Sequence, residues 1–387
     1  MGRLVIIVLD SVGVGAMPDA ARFGDEGANT LRHVDEFCGG LNLPHMKDYG
    51  LYNIDGLGLA GVSEPAAAFG RLAEVSDAKD TITGHYEIAG LLVEKPFKVY
   101  PGGFPAAIVA ELENRAGRGF IGNCNASGTE IIRDLGDEHV RTGKPILYTS
   151  ADSVMQIAMH EEVIPLPEQY RICEIARGLM MGDNMIARII CRPFLGESGA
   201  YARTENRRDF ALDPPGRTVL NLLSENGKDV VAVGKIEDIF NRSGITKIDH
   251  SKNNGQGIDA AVKWLQTDFS GILFVNLVDY DMLYGHRNDP AGYGKALEYF
   301  DARLPEITAQ LQKDDLLLIT ADHGCDPTHP GTDHTREFVP LLAIGNRVKP
   351  GVNLGTRESF ADIAATAAAY FGLDWNVGES FLPPIFA

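Results

Sequence analysis

The feature that most constrains this chain is a set of short, nearly uninterrupted apolar runs set far apart along its length. They are Leu4–Leu9, Val230–Val233, Ile272–Val278, Leu316–Thr320 and Val339–Ile344. Runs of this length, rich in leucine and β-branched residues, are the pattern of strands buried on both faces of a parallel sheet. Ile258–Thr267 and Lys295–Gln312 read as helices, and Ser359–Tyr370 as a last helix with Ser359 as N-cap, Asp362 three residues on and Gly372 beyond its end. The alternation predicts an α/β core with a mainly parallel central sheet and helices on both faces.

The middle of the chain reads differently. It has an amphipathic helix candidate at Ala106–Arg115, short scattered strands and the arginine-rich stretch CRPFLGESGAYARTENRRDF. A length of 387 residues accommodates about two to three compact units. We expect a smaller inserted α+β cap domain over residues 98–215, with PGGFP and DPPG as turn-rich hinges, between core segments 1–97 and 216–387.

Acidic residues outnumber basic ones by 53 to 35, a net charge of −18, which argues against nucleic-acid or anionic-membrane partners over most of the surface. The five cysteines form no CxxC pair, so neither a disulfide framework nor a cysteine zinc site is expected, and a reducing cytoplasm fits best. The apolar start MGRLVIIVLDSVGVG is interrupted by Asp10 and carries no cleavage pattern. No apolar stretch reaches the length of a membrane span. The expectation is a soluble cytoplasmic protein.

The polar chemistry falls at the ends of the apolar runs: Asp10 after the first, Asp279 and Asp281 after another, Asp322 and His323 after a third. Ligand sites of open α/β sheets lie outside the carboxyl ends of the strands, so these ends point at one site. Of ten histidines, His286, His323, His329 and His334 fall within one stretch, beside Asp326 and Asp333. Mixed Asp and His ligands suit zinc, manganese or cobalt better than calcium; the ligand count supports one ion and leaves room for a second. KDTITGHYEIAG follows an expected strand, Phe69–Val75, and sets Thr81 and Thr83 before Gly84. Beside a divalent metal a threonine can lose its proton and attack phosphorus, and a helix N-terminus favours phosphate. Composition chooses neither between the threonines nor between Asp279 and Asp281, whose side chains would share one face of a strand.

In order along the chain, VIIVLDSVGVGAMPDA, KDTITGHYEIAG, LYTSADSVMQIA, RIICRPFLG, RTENRRDFAL, VGKIEDIF, VNLVDYDMLYGHRNDP and TADHGCDPTHPGTDHTRE closely resemble the phosphopentomutase family of the alkaline phosphatase superfamily. The resemblance covers nearly the whole chain, with TGHYE standing where the family usually has TGHWE. It implies an alkaline phosphatase-like core with two divalent ions, usually manganese. One would be held by Asp10, Asp322 and His323 with the nucleophilic threonine, the other by Asp281, His286 and His334. It selects Thr83 as the phosphorylated residue, makes Thr81 a neighbour or helix cap, and leaves Asp326, His329 and Asp333 as loop residues. Arg188, Arg203 and Arg207 match positions that bind the distal phosphate, Lys235 resembles a further contact, and Asp152 resembles the residue that reaches the sugar. The implied reaction interconverts (deoxy)ribose 1-phosphate and (deoxy)ribose 5-phosphate through phosphothreonine, primed by a bisphosphate such as glucose 1,6-bisphosphate. Small-molecule pentose phosphates would be the partners. Competing readings are a metal-dependent phosphatase or phosphodiesterase of the same superfamily, a cofactor-independent phosphoglycerate mutase, which ordinarily uses serine, and a non-catalytic sugar-phosphate binding protein stabilised by metal.

Overall fold

The computed structural model describes residues 2–94, 97–150 and 153–386. It divides into two compact units, one made of Met1–Pro96 with Pro214–Ala387, the other of Phe97–Asp213.

The first unit is built on an eight-stranded sheet. Its order is Lys247–Asp249, Asp229–Val233, Gly271–Leu277, Leu4–Leu9, Leu316–Thr320, Val339–Ile344, Ala68–Leu72 and Asn353–Arg357. The first five strands pair in parallel. Val339–Ile344 runs against both its neighbours, and the last two strands return to the common direction. All six residues of Leu4–Leu9 are buried, and because successive strand side chains point to opposite faces, both faces of the sheet must be covered. The register pairs Leu9 with Leu277 and Val8 with Thr320. Asp10, the turn after Leu277 and the Asp322-His323 pair therefore emerge side by side.

Several element bounds differ from expectation. The strand expected at Phe69–Val75 spans Ala68–Leu72, and the helices expected at Ile258–Thr267 and Lys295–Gln312 span Asn254–Leu265 and Pro290–Thr308. Asn253 caps the former through the Gln256 amide and Asp289 caps the latter through the Gly292 amide, so side-chain caps placed both starts further upstream than periodicity did. The last helix covers Asp362–Tyr370 with Ala361 at its N-cap. Ser359 is not that cap; its hydroxyl accepts from the Ala361 amide and donates to buried Glu87.

The second unit holds a six-stranded sheet ordered Ile121–Asn125, Ile146–Thr149, Val154–His160, Arg188–Leu195 and Ala202–Arg203, with Arg208–Ala211 also paired to Arg188–Leu195. Alternation again sorts the side chains. Leu147, Met155, Ile157, Ile189 and Cys191 pack with helices Ala106–Ala116 and Leu166–Leu179, while Ile146, Tyr148, Ala158 and Phe194 pack with helix Gly128–Thr142. Among the described residues, no helix is long and apolar enough to cross a membrane.

Candidate metal centre

Three neighbouring strand ends and two loops supply the ligands. Asp10 follows Leu4–Leu9 directly and is fully buried. Asp281 sits in a π-helical turn, Tyr280–Tyr284, followed by a 3-10 turn that carries His286; such turns re-aim side chains at functional sites. Asp322 and His323 lie just past Leu316–Thr320, and His334 comes from the loop before Val339–Ile344.

These side chains form two groups, Asp281 with His286 and His334, and Asp10 with Asp281 and His323. The ligand atoms of each group lie within 4.8 Å of one another. His286 Nε2 and His334 Nε2 are 3.4 and 3.2 Å from Asp281 Oδ1. His323 Nε2 is 3.6 Å from Asp10 Oδ1 and 3.4 Å from Asp322 Oδ2. The other ring nitrogen of each histidine faces a backbone carbonyl: Thr332 for His286, Gly324 for His323 and Lys79 for His334, at 2.7 to 3.0 Å. A proton on Nδ1 satisfies those carbonyls and makes Nε2 the nitrogen that each ring turns toward the carboxylates, a donor where Asp281 holds His334 protonated and a free lone pair where the ring is neutral, as in His323.

The site fits divalent cations on its own chemistry. Among the described residues, Asp10 Oδ1, Asp281 Oδ1 and Asp322 Oδ2 are buried together with only histidine nitrogens beside them, at 3.1 to 3.6 Å, and three carboxylates gathered in one dry site are too costly to retain unless a cation completes it. Burial, reinforced by the nearby charge of Asp322, pushes Asp10 up to about 7. Burial holds His323 down at about 4, so its imidazole is neutral and ready to act as a ligand. Burial also works against protonation of His334, but its hydrogen bond to Asp281 outweighs this and raises it to about 9.

The structure separates the two threonines. Asp80 caps helix Thr81–Ile88 by accepting from the Ile82 and Thr83 amides. The Thr83 hydroxyl is buried and donates to Asp80 Oδ2 at 2.7 Å, whereas Thr81 Oγ1 lies 3.1 Å from His323 Nε2. The expectation that Thr83 faces the metals is thereby corrected: two helical residues on, its side chain turns back onto the cap. Thr81 is not the cap either; it is the first helical residue, on the face of the metal ligands. A Cβ on Gly84 would lie 2.1 Å from the Asp322 carbonyl oxygen, so only glycine lets this helix sit directly on the ligand strand end.

Other expected residues are placed as follows. Lys235 lies past Asp229–Val233, with Nζ 3.6 Å from Asp10 Oδ2. Asp279 exchanges hydrogen bonds with Asn254 and belongs to neither ligand group. Asp326 binds His33, the Asn29 amide and Thr328. His329 faces the Gly24 carbonyl and Asp333 pairs with Lys79. Arg188, Arg203 and Arg207 belong to the unit Phe97–Asp213. Arg207 makes a bidentate pair with Asp209, Arg188 lies 3.9 Å from the same carboxylate, and Arg203 donates to Thr129. Asp152 lies outside the described residues.

Three groups at the site were not singled out from sequence. His85 is buried with Nδ1 3.1 Å from Asp322 Oδ2; its signal is its place four residues after Thr81, one turn along the same helix. Asn276 donates to Asp10 Oδ2 at 2.9 Å and is the one polar residue inside the run GILFVNL. Ser11 gives its amide to Asp322 Oδ1 from a left-handed backbone, φ 79°, and nothing local in the sequence marks it.

A family model for the Metalloenzyme superfamily matches residues 2–375, and the chain belongs to that superfamily of metal-dependent enzymes. The phosphopentomutase of Acetivibrio thermocellus is 56% identical over 387 residues, covering all of both chains. That of Caldanaerobacter subterraneus subsp. tengcongensis is 58% identical over 382 residues, 98% of this chain and 97% of the relative. The chain is a member of the phosphopentomutase family. Among solved structures, the PH0037 protein from Pyrococcus horikoshii shares the fold, with TM-score 0.50 and 15% identity over 97% of this chain and 99% of that one.

Proposed function

We propose that this chain interconverts (deoxy)ribose 1-phosphate and (deoxy)ribose 5-phosphate through a phosphothreonine at Thr81. The observation that carries this reading is the position of Thr81 Oγ1, 3.1 Å from His323 Nε2, at the start of the helix resting on the ligand strand ends. In the first half-reaction Thr81 Oγ1 bonds to phosphorus of a bisphosphate such as glucose 1,6-bisphosphate while the sugar ester P–O bond breaks; the threonine proton ends on the departing sugar oxygen. The phosphothreonine then gives its phosphoryl to the free hydroxyl of a pentose monophosphate. The pentose bisphosphate formed returns its other phosphoryl to Thr81, and the isomeric monophosphate leaves.

Asp10, Asp322 and His323 would hold one divalent ion and Asp281, His286 and His334 the other, manganese being our assignment. When bound, such ions lower the pKa of a coordinated hydroxyl and offset charge on the transferring phosphoryl. His85 and Asn276 hold Asp322 and Asp10 in place. Lys235, beside Asp10, belongs to the metal centre, and Arg188, Arg203, Arg207 and Asp152 are our candidates, on the family resemblance, for ligands of the sugar and its distal phosphate. A reducing cytoplasm suits the five free cysteines.

The test is mass spectrometry of the phosphorylated protein after incubation with glucose 1,6-bisphosphate and manganese, with Thr81→Ala and Thr83→Ala beside it. Phosphate is expected on Thr81. Thr81→Ala should lose on the order of 10³-fold or more in turnover, while Thr83→Ala should still be phosphorylated. Phosphate on Thr83, or full turnover by Thr81→Ala, would overturn the assignment.

A further inference from the structure

Residues 73–80 join strand Ala68–Leu72 to helix Thr81–Ile88 without forming either themselves, and side chains from other parts of the chain meet much of their backbone. Glu87 takes the Val75 and Ser76 amides. Three of the carbonyls go to one guanidinium, that of Arg336. Its Nη1 donates to the Ser76 carbonyl at 2.9 Å and to that of Ala78, and its Nη2 donates to the Glu74 carbonyl at 2.8 Å. Nη1 also meets Glu74 Oε2 at 2.6 Å, while Nε and Nη2 meet the Asp19 carboxylate at 3.2 to 3.3 Å. Arg336 is 2% exposed, and the Phe23 ring lies against it, its centroid 5.1 Å from Cζ. A planar fork with five N–H donors can serve three carbonyls and two carboxylates at once.

Arg336 lies two residues from His334, whose own Nδ1 faces the Lys79 carbonyl. One loop thus presents a nitrogen to the metal centre and grips the segment that ends at Thr81. The backbone of that loop is anchored without the guanidinium. The Arg336 amide donates to Asp25 Oδ2 at 2.8 Å, its carbonyl accepts from the Met17 amide at 3.0 Å, and Thr335 and Gly324 exchange backbone hydrogen bonds. Shortening the Arg336 side chain therefore leaves the ligand loop in place and releases the segment before Thr81. Glu87 holds the helix at its far end, whereas Ala78, three residues before Thr81, is where Arg336 holds the approach to its start.

We propose that Arg336 is a positioning residue for phosphoryl transfer, holding the start of helix Thr81–Ile88 so that Thr81 Oγ1 keeps its place beside the metal ligands. The inference deepens the proposed reaction and rests on it for the role of Thr81. The Arg336 donors are committed within the protein, so it acts through residues 74–78 rather than on the reacting phosphoryl. Lysine keeps the charge but cannot take its place, because one ammonium does not reach carbonyls and carboxylates on all sides of the fork.

Arg3 supplies the control. It is buried as well, and its guanidinium holds Asp315 and the Leu265, Thr267 and Gln310 carbonyls, but it precedes Leu4–Leu9 and so lies at the end of the sheet away from Asp10. The experiment is rapid-quench measurement of the phosphorylation rate of the full-length, manganese-loaded protein over a range of glucose 1,6-bisphosphate concentrations. Wild type is compared with Arg336→Lys, with Arg336→Gln combined with Glu74→Gln, and with Arg3→Lys, and manganese content and Tm are measured alongside. Arg336→Lys should lower the maximal rate on the order of 10²-fold, while the half-saturating bisphosphate concentration and the manganese content stay within about twofold of wild type. Arg3→Lys should lose Tm without losing rate. The double variant removes the guanidinium together with its buried carboxylate partner, should show the same fall in rate, and decides the matter if Arg336→Lys misfolds. A maximal rate within about twofold of wild type in an Arg336 variant, an equal fall in Arg3→Lys, or a fall matched by loss of manganese would overturn the inference. Phosphate found on Thr83 of wild type would overturn the assignment of Thr81 alone, since the clamp holds the start of the helix that carries both threonines.

Discussion

Glu87 is the group on which the placement of Thr81 most depends, and Glu87→Gln is the change that exposes this. Its carboxylate is buried at the far end of helix Thr81–Ile88. One oxygen accepts from the Ser359 hydroxyl and the Phe360 amide, the other from the Ser76 hydroxyl and the Ser76 amide, and the Val75 amide reaches both. Glutamine keeps the shape but presents an NH2 where one oxygen stood. A serine hydroxyl can rotate to accept from it; a backbone amide cannot. Whichever way the amide is turned, the Ser76 or the Phe360 N–H faces a donor and loses its partner. An unsatisfied buried donor costs ~1–3 kcal/mol, and exchanging charge-assisted bonds for neutral ones costs about another 1 kcal/mol, so the substitution should destabilise by roughly 2–4 kcal/mol. For a unit of this size that is a Tm loss of roughly 4–16 °C. Differential scanning calorimetry of the metal-loaded protein measures it, with rate of Thr81 phosphorylation as a second readout, expected to fall at least about tenfold as the helix shifts. A Tm within about 2 °C of wild type would show that this carboxylate does not anchor the helix.

Glu337 provides the contrast. It is buried and its carboxyl is raised, chiefly by burial, although Thr30 and Thr335 donate to it. A carboxyl raised in the folded state contributes stability below its unfolded pKa and loses it as pH climbs through the folded value. Glu337→Gln should therefore gain on wild type as pH rises from about 4.5 toward 8, seen by urea unfolding at several pH values; a variant that loses ground to wild type over that range would contradict the sign. Removing the metals should leave Asp10, Asp281 and Asp322 with uncompensated buried oxygens. EDTA is expected to cost about 3 kcal/mol relative to free metal at a hundredfold excess over Kd, recovered on adding manganese back; a melting curve indifferent to chelation would argue against bound cations.

The sheet and the cluster of acids and histidines at its strand ends were legible because both are local signals: an apolar run ending in a carboxylate says where the chain leaves the core. The reversal of Val339–Ile344 was not, since a buried run reads alike in either direction. The choice between Thr81 and Thr83 depended on where the helix starts, and that is set by the Asp80 cap rather than by the threonines. Ser359 looked like a helix cap because serine before an apolar helix usually is one, yet its partner is Glu87, distant in sequence.

The parallel order of the core strands has a consequence for biosynthesis. Leu4–Leu9 pairs only with strands from residues 271–277 and 316–320, and Ser11 meets Asp322 across 311 positions. A nascent chain leaving the ribosome thus carries its central strand unpaired until most of the polypeptide has been made, a slow, non-local closure. Since His334 follows still later, completing its group with Asp281 and His286 can only be a closing step of maturation, and a ribosome that stalls short of it yields a product with that group one ligand short.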